Sequence, residues 1–139
     1  MKLIDAYADE SACQDLYQLL KKRTEQFSIS HAAVPDYAQH VEFYRSKPYR
    51  VWYIIEQDGQ SLGSAYITEN NEIGVFVIDE AQELEQRVLQ QLISTHSPLP
   101  AIKSRRAGSF SLNVNPSNQR LIDSALALGG QHIQNTYRF

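Results

Sequence analysis

A chain of 139 residues, 42% of them apolar and with a formal charge of -3, has the size of one globular domain around one core, with no room for a second. The basic clusters Lys21-Lys22-Arg23 and Lys103-Ser104-Arg105-Arg106 are short and far apart, which argues against a continuous track for nucleic acid. A single cysteine, Cys13, rules out a disulfide within the chain, and the absence of any apolar run near ~20 residues argues against a membrane helix.

Leu3 to Tyr7 is a short apolar run that turns polar before a signal-peptide core could form, so the chain reads as soluble and cytoplasmic. Asp9 or Ser11 then caps a helix whose apolar positions Ala12, Leu16, Leu19, Leu20 and Phe27 recur at helical spacing, with Cys13 as a small core residue. Lys21, Lys22 and Arg23 fall in its last turns and complement the helix dipole. Ser28 to Pro35 breaks the pattern. Asp36 starts a second helix with Tyr37, Val41 and Tyr44 on one stripe, ending before Pro48.

From Val51 the period changes. Val51 to Ile55 is a strand, Asp58-Gly59 a hairpin signal, Ser61 to Thr68 the return strand, and Glu69-Asn70-Asn71 a second turn into the strand Glu72 to Ile78. The last strand is apolar at successive positions, as a central strand covered on both faces should be. It runs without a glycine into a helix over Ala81 to His96, with Leu84, Val88 and Leu92 inward and Glu83, Glu85, Gln86 and Gln90 outward.

Ser97-Pro98-Leu99-Pro100 stops that helix. A basic loop, read as solvated, leads to the alternating strand Ser109 to Val114, which should lie parallel to the strand before the crossover helix. Asn115-Pro116-Ser117-Asn118 supplies caps and a first-turn proline for a helix to Leu128, ended by Gly129-Gly130. A closing strand carries Ile133, Tyr137 and Phe139. The expected class is α/β with a mixed central sheet, in the order β-α-α-β-β-β-α-β-α-β, as one domain over residues 1–139.

That order resembles the fold of the GNAT N-acetyltransferases over nearly the whole chain. Asn113 to Ile122 followed by Leu128-Gly129 looks like the family's late strand-helix segment, the hairpin Ile54 to Gly63 resembles its second and third strands, and Thr136 to Phe139 fits its end. More loosely, His40 to Tyr44 ahead of Tyr53 is similar to members that acetylate amino groups of nucleotide sugars. The resemblance implies acetyl transfer from acetyl-CoA to a primary amine of a small molecule, an amino sugar among the options. The alternative is a GNAT-fold binding or regulatory module without catalysis, and either form allows a homodimer.

In the family the cofactor diphosphate is gripped by an Arg/Gln-x-x-Gly-x-Gly/Ala turn at a helix N-terminus. The matching stretch is Gln82-Glu83-Leu84-Glu85-Gln86-Arg87, with Gln82 at the first position and side chains where the glycines stand. Asp79, Glu80, Glu83 and Glu85 against Arg87 leave this junction net negative, and each like-charge pair about 4 Å apart costs roughly 1 kcal/mol in water and about 4 at a partly screened surface.

By resemblance the pantetheine arm would run along Val75, Phe76 and Val77, the helix-start amides near Leu84, Glu85 and Gln86 would meet the diphosphate, and Asn115 and Asn118 would help hold the cofactor. Ala125 stands where many members carry a catalytic tyrosine, and Gly130 where they carry phenylalanine. Tyr66 and Tyr137 are spare phenols, and Tyr66 is taken as the acid. Glu72 is the candidate base, with Glu69 and His40 on the substrate side. The histidines His31, His40, His96 and His132 show no metal-ligand spacing, so no metal is expected.

Overall fold

The computed structural model describes residues 1–26 and 34–139. Phe27, His31 and most of the break between the first two helices lie outside the described residues. The elements run β1 (Lys2–Asp5), α1 (Ala12–Gln26), α2 (Tyr37–Arg45), β2 (Val51–Gln57), β3 (Gln60–Ile67) and β4 (Glu72–Val77). A 3-10 helix (Asp79–Leu84), α3 (Glu85–Thr95), β5 (Ser111–Leu112) and α4 (Gln119–Ala127) complete the order. Among the described residues no helix is long and apolar enough to cross a membrane.

The five strands form one mixed sheet in the order β1-β2-β3-β4-β5, antiparallel except for β4 and β5, which pair in parallel. The β2–β3 turn places Asp58 and Gly59 at φ of 53° and 76°, the left-handed pair that a two-residue hairpin requires. Register sorts the side chains. Trp52, Tyr66 and Gly74 stand opposite one another across three strands, as do Ile54, Ser64 and Phe76, so these six positions share one face with Glu72. Trp52 and Ile54 join Leu16, Cys13 and Tyr44 of α1 and α2 in one core cluster.

The opposite face of the sheet, with Ile55, Ala65, Ile67, Ile73, Val75 and Val77, packs on Val88, Leu89 and Leu92 of α3 and on Leu121 of α4. Helices thus cover both faces of β4, as its unbroken apolar run requires.

Helix α2 begins with a full capping box. Asp36 accepts from the Gln39 amide, and the Gln39 side chain accepts from the Asp36 amide.

Five expectations need correction. The crossover helix does not start at Ala81: residues 79–84 form a 3-10 helix with Ala81 at φ -124°, ψ 22°, and α-geometry begins only at Glu85. Glu85 consequently shares the inward stripe of Val88, Leu89 and Leu92 at spacings of three, four and seven, and it is buried, not outward. Pro116 is not in the first turn of α4. Asn115 Oδ1 accepts from Ser117 N and Oγ to form a separate turn, and the cap is Asn118, whose Oδ1 accepts from Leu121 N.

The fourth concerns Gln131–Phe139, which forms no strand; Ile133, Tyr137 and Phe139 stand exposed. The basic loop also does more than face solvent. Arg106 donates to the carbonyls of Pro100 and Glu69, tying the loop to the β3–β4 turn.

Candidate functional site

Only Glu72 and Ile73 of β4 pair with β5. Beyond them the two strands part, so the β5-facing amides and carbonyls of Val75 and Val77 have no ladder partner on that side among the described residues. A cleft of about 230 Å³ opens there, lined by Glu72 to Phe76, Asn113 to Asn115, Asn118 and Leu121, with Arg23, Tyr66 and Glu85 around it. A second cavity of about 430 Å³ lies between α1, α2 and the sheet, walled by Leu16, Leu19, Phe43, Tyr49, Trp52 and Phe76. Its described polar lining is Arg23, Gln39, His40 and Ser64, together with the phenols of Tyr49 and Tyr66.

The two cavities share Arg23, Tyr66 and Phe76. They meet at one place. Tyr66 is held there by its stack on Tyr49, with ring centroids 3.9 Å apart and planes 7° from parallel, and Tyr49 in turn meets Trp52 edge-on at 4.8 Å. Burial pushes the Tyr49 phenol far above its ordinary pKa, so that ring stays neutral. Glu72 opens onto the cleft, and its carboxylate accepts from Asn113 Nδ2 at 3.3 Å.

Of the residues singled out from sequence, Glu72, Tyr66, Val75, Phe76, Glu85, Asn115 and Asn118 line the cleft, and His40 lines the aromatic cavity. Val77 and Leu84 lie in the core, Gln86 is exposed, and Glu69 is exposed in the β3–β4 turn, so none of these four lines either cavity. His40 is buried, and its Nε2 lies 2.9 Å from the Cys13 carbonyl; a carbonyl only accepts, so that nitrogen carries a proton. Among the helix-start amides, that of Glu85 already donates to the Gln82 carbonyl.

The junction of 3-10 helix and α3 holds a cation that sequence spacing did not reveal. Arg120, on the first turn of α4, donates to Gln82 Oε1, while Gln82 donates to Asp79 Oδ1 at 2.7 Å. The Arg120 Nε stands 4.0 Å from Glu85 Oε1, an oxygen without a hydrogen-bond partner among the described residues. Burial raises the Glu85 pKa, and the Arg120 guanidinium opposes that rise. Arg120 thus offsets part of the negative charge that Asp79, Glu80, Glu83 and Glu85 bring to this end of the cleft. Arg23 likewise faces both cavities and is more than a helix-end cation. Its helical register, seven residues after Leu16, was the available signal.

Comparison with solved structures bears on this geometry. The fold matches yncA, a candidate acetyltransferase from Salmonella typhimurium solved with its cofactor acetyl-CoA, at a TM-score of 0.65 and 16% identity, over 93% of this chain and 79% of that one. This chain has an acetyltransferase fold of the GNAT type. A possible acetyltransferase from Clostridium difficile 630 matches at a TM-score of 0.60 and 10% identity, covering 99% of this chain and 95% of the other. A probable acetyltransferase matches at 0.60 and 15%, covering 100% and 95%. No family model and no curated protein matches the sequence. The GNAT fold expected from the order of elements is therefore present, with the closing strand absent from this structure.

Proposed function

We propose that the chain is an acetyl-CoA-dependent N-acetyltransferase acting on a primary amine of a small molecule. The observation that carries this reading is the meeting of a strand-lined cleft and an aromatic cavity at Tyr66 and Phe76, with Glu72 on the wall of the cleft. An extended ligand arm with amide groups fits the unpaired edge of β4, which offers amides and carbonyls at Val75 and Val77. Arg120 and the start of α3 stand where the diphosphate end would lie, in place of a glycine-rich turn. Such an edge suits the thioester arm, and Arg120, which now contacts Gln82 and Glu85, is a cation beside the start of α3 for its anionic end. Bound there, acetyl-CoA supplies an acetyl group activated as a thioester.

The chain's own groups then have distinct tasks. The aromatic cavity holds the body of the amine and excludes water from it. Glu72 takes the proton of the incoming ammonium on a carboxylate oxygen, leaving the nitrogen lone pair free, and Tyr66 presents its Oη proton at the junction of the two cavities. Asn115 and Asn118 border the cleft, Asn115 Oδ1 accepting from Ser117 and Asn118 Oδ1 from Leu121, so that the Asn118 side-chain NH2 is the group turned to a ligand. The predominantly apolar lining among the described residues favours an amine with an apolar body over an amino sugar, whose hydroxyls would have to share Arg23, Gln39, His40, Ser64 and the phenols of Tyr49 and Tyr66.

The test is calorimetric titration with acetyl-CoA, followed by thioester consumption across a panel of apolar amines and amino sugars. Micromolar binding and turnover of an apolar amine support the proposal. Absence of both binding and thioester consumption would overturn it.

A further inference from the structure

Glu85 borders the cleft from the inward stripe of α3, its side chain only 5% exposed, and its Oε1 has no hydrogen-bond partner among the described residues. A buried carboxylate in that state keeps its charge only while a cation stays close. The titratable and charged groups around it are Arg120 on α4, Glu72 on β4, Tyr66 on β3 and Arg23 on α1 across the cleft, with Asp79, Glu80, Glu83 and Arg87 on its own stretch of chain. Among the described residues Arg120 alone comes within ion-pair distance of it. That hold is loose. The guanidinium stands 4.0 Å away, 46% exposed, and gives its hydrogen bond to Gln82 Oε1 instead.

Arg120 is also the cation beside the start of α3, so one guanidinium faces a buried carboxylate and the place of a ligand diphosphate. We propose that Glu85 and the cofactor compete for Arg120, so that acetyl-CoA binds with uptake of a proton by Glu85. The inference rests on the proposed binding of acetyl-CoA. Arg120 turns from Glu85 to the diphosphate, and Glu85, left buried without a cation, takes a proton from solvent on a carboxylate oxygen and becomes neutral. Burial already favours the protonated form, and Arg120 is the group that opposes it.

The consequence is a grip that senses pH. Affinity for the cofactor rises as pH falls and drops as pH rises, by up to about tenfold per pH unit across the window in which Glu85 titrates. A glycine-rich turn has no side chain at this position and could not respond in this way.

The experiment is calorimetric titration of the full chain with acetyl-CoA in buffers of different ionisation enthalpy, which counts the protons taken up, repeated from mildly acid to mildly alkaline pH. Wild type is compared with Glu85→Gln, Arg120→Ala and the double variant, each checked for fold by circular dichroism. The 3′-phosphate of the ligand also titrates but contributes alike to each protein, so the difference between wild type and Glu85→Gln isolates Glu85. Wild type should take up about half a proton or more beyond Glu85→Gln at some pH in the range. Glu85→Gln should bind about tenfold more tightly at alkaline pH, and this gain should vanish in the Arg120→Ala background. Equal uptake by wild type and Glu85→Gln, or a gain that persists without Arg120, would overturn the proposal and leave acetyl-CoA binding in place. No binding to any of these proteins at any pH would remove the acetyl-CoA assignment and this inference with it.

Discussion

The ring of Tyr66 lies over Gly74, its partner across the β3–β4 ladder, in the space a β-carbon at position 74 would occupy. Glycine at one position therefore fixes an aromatic side chain at another. It also sets the shape of the junction between the cleft and the aromatic cavity, because the same ring is stacked on Tyr49 from its other side.

Gly74→Ala should displace the Tyr66 ring and break its stack on Tyr49, costing about 2 kcal/mol of stability in urea denaturation. Adding Tyr66→Ala should restore most of that loss, since the clash needs both side chains. A double variant as destabilised as the sum of the singles would show that the alanine is rejected by something other than the ring.

Asn71 is fully buried, at φ 64°, and clamps the loop after α3 to the β3–β4 turn. Its Nδ2 donates to the carbonyls of Leu99 and Ala107, its Oδ1 accepts from the Leu99 amide, and its own carbonyl accepts from Ser111 N. Replacing Asn71 with leucine should cost about 3 kcal/mol, from lost hydrogen bonds, stranded loop groups and a left-handed backbone. Asn71→Asp, which keeps the acceptor but loses both donors, should fall between wild type and leucine.

For Glu85, the folded pKa is raised by burial, with Arg120 pulling the other way. The native state therefore holds this proton to higher pH than the unfolded chain does, and stability falls as pH rises from the ordinary carboxylate range through the raised value. Glu85→Gln should remove that slope and raise stability at neutral pH by about 1 kcal/mol. Arg120→Ala should steepen the slope. Denaturation midpoints measured on either side of the window check both, and a slope unchanged in Glu85→Gln would show that another carboxyl titrates there.

His96 predicts the opposite slope. Burial, with a smaller contribution from Arg50, lowers its pKa, and its Nε2 lies 2.9 Å from Tyr53 Oη. The unfolded chain therefore binds a proton that the native state refuses, and stability is lost as pH falls from the ordinary histidine value through the lowered one. His96→Gln should flatten this part of the curve, and Tyr53→Phe should leave the curve's direction intact while lowering overall stability by about 1 kcal/mol.

Within the proposed acetyltransferase, Glu72→Gln should reduce kcat by about a hundredfold or more with the fold unchanged, and the loss should shrink as pH approaches the amine's own pKa. Thioester consumption measured against pH is the check. An unaffected rate would remove Glu72 as the base.

The periods and breaks of the sequence determined most of the architecture. The alternation and turn residues from Val51 to Asn71 dictated the hairpins, and Asp36 with Gln39 the start of α2. The unbroken apolar run of β4 required cover on both faces, because these signals act between residues close in the chain. Glu85 shows where local reading went astray. Its spacing to Val88, Leu89 and Leu92 was visible, but its charge argued for the surface, and the 3-10 start that sets the helical phase depends on packing of Ala81 and Leu84 against the sheet. Tertiary structure alone brought Arg120 to Gln82 and Glu85 across 38 and 35 positions of sequence, set Arg23 between two cavities, and laid Tyr66 on Gly74. Such contacts depend on the register of strands and the seating of helices, which are settled by the whole core at once and leave no periodic trace in the residues that make them.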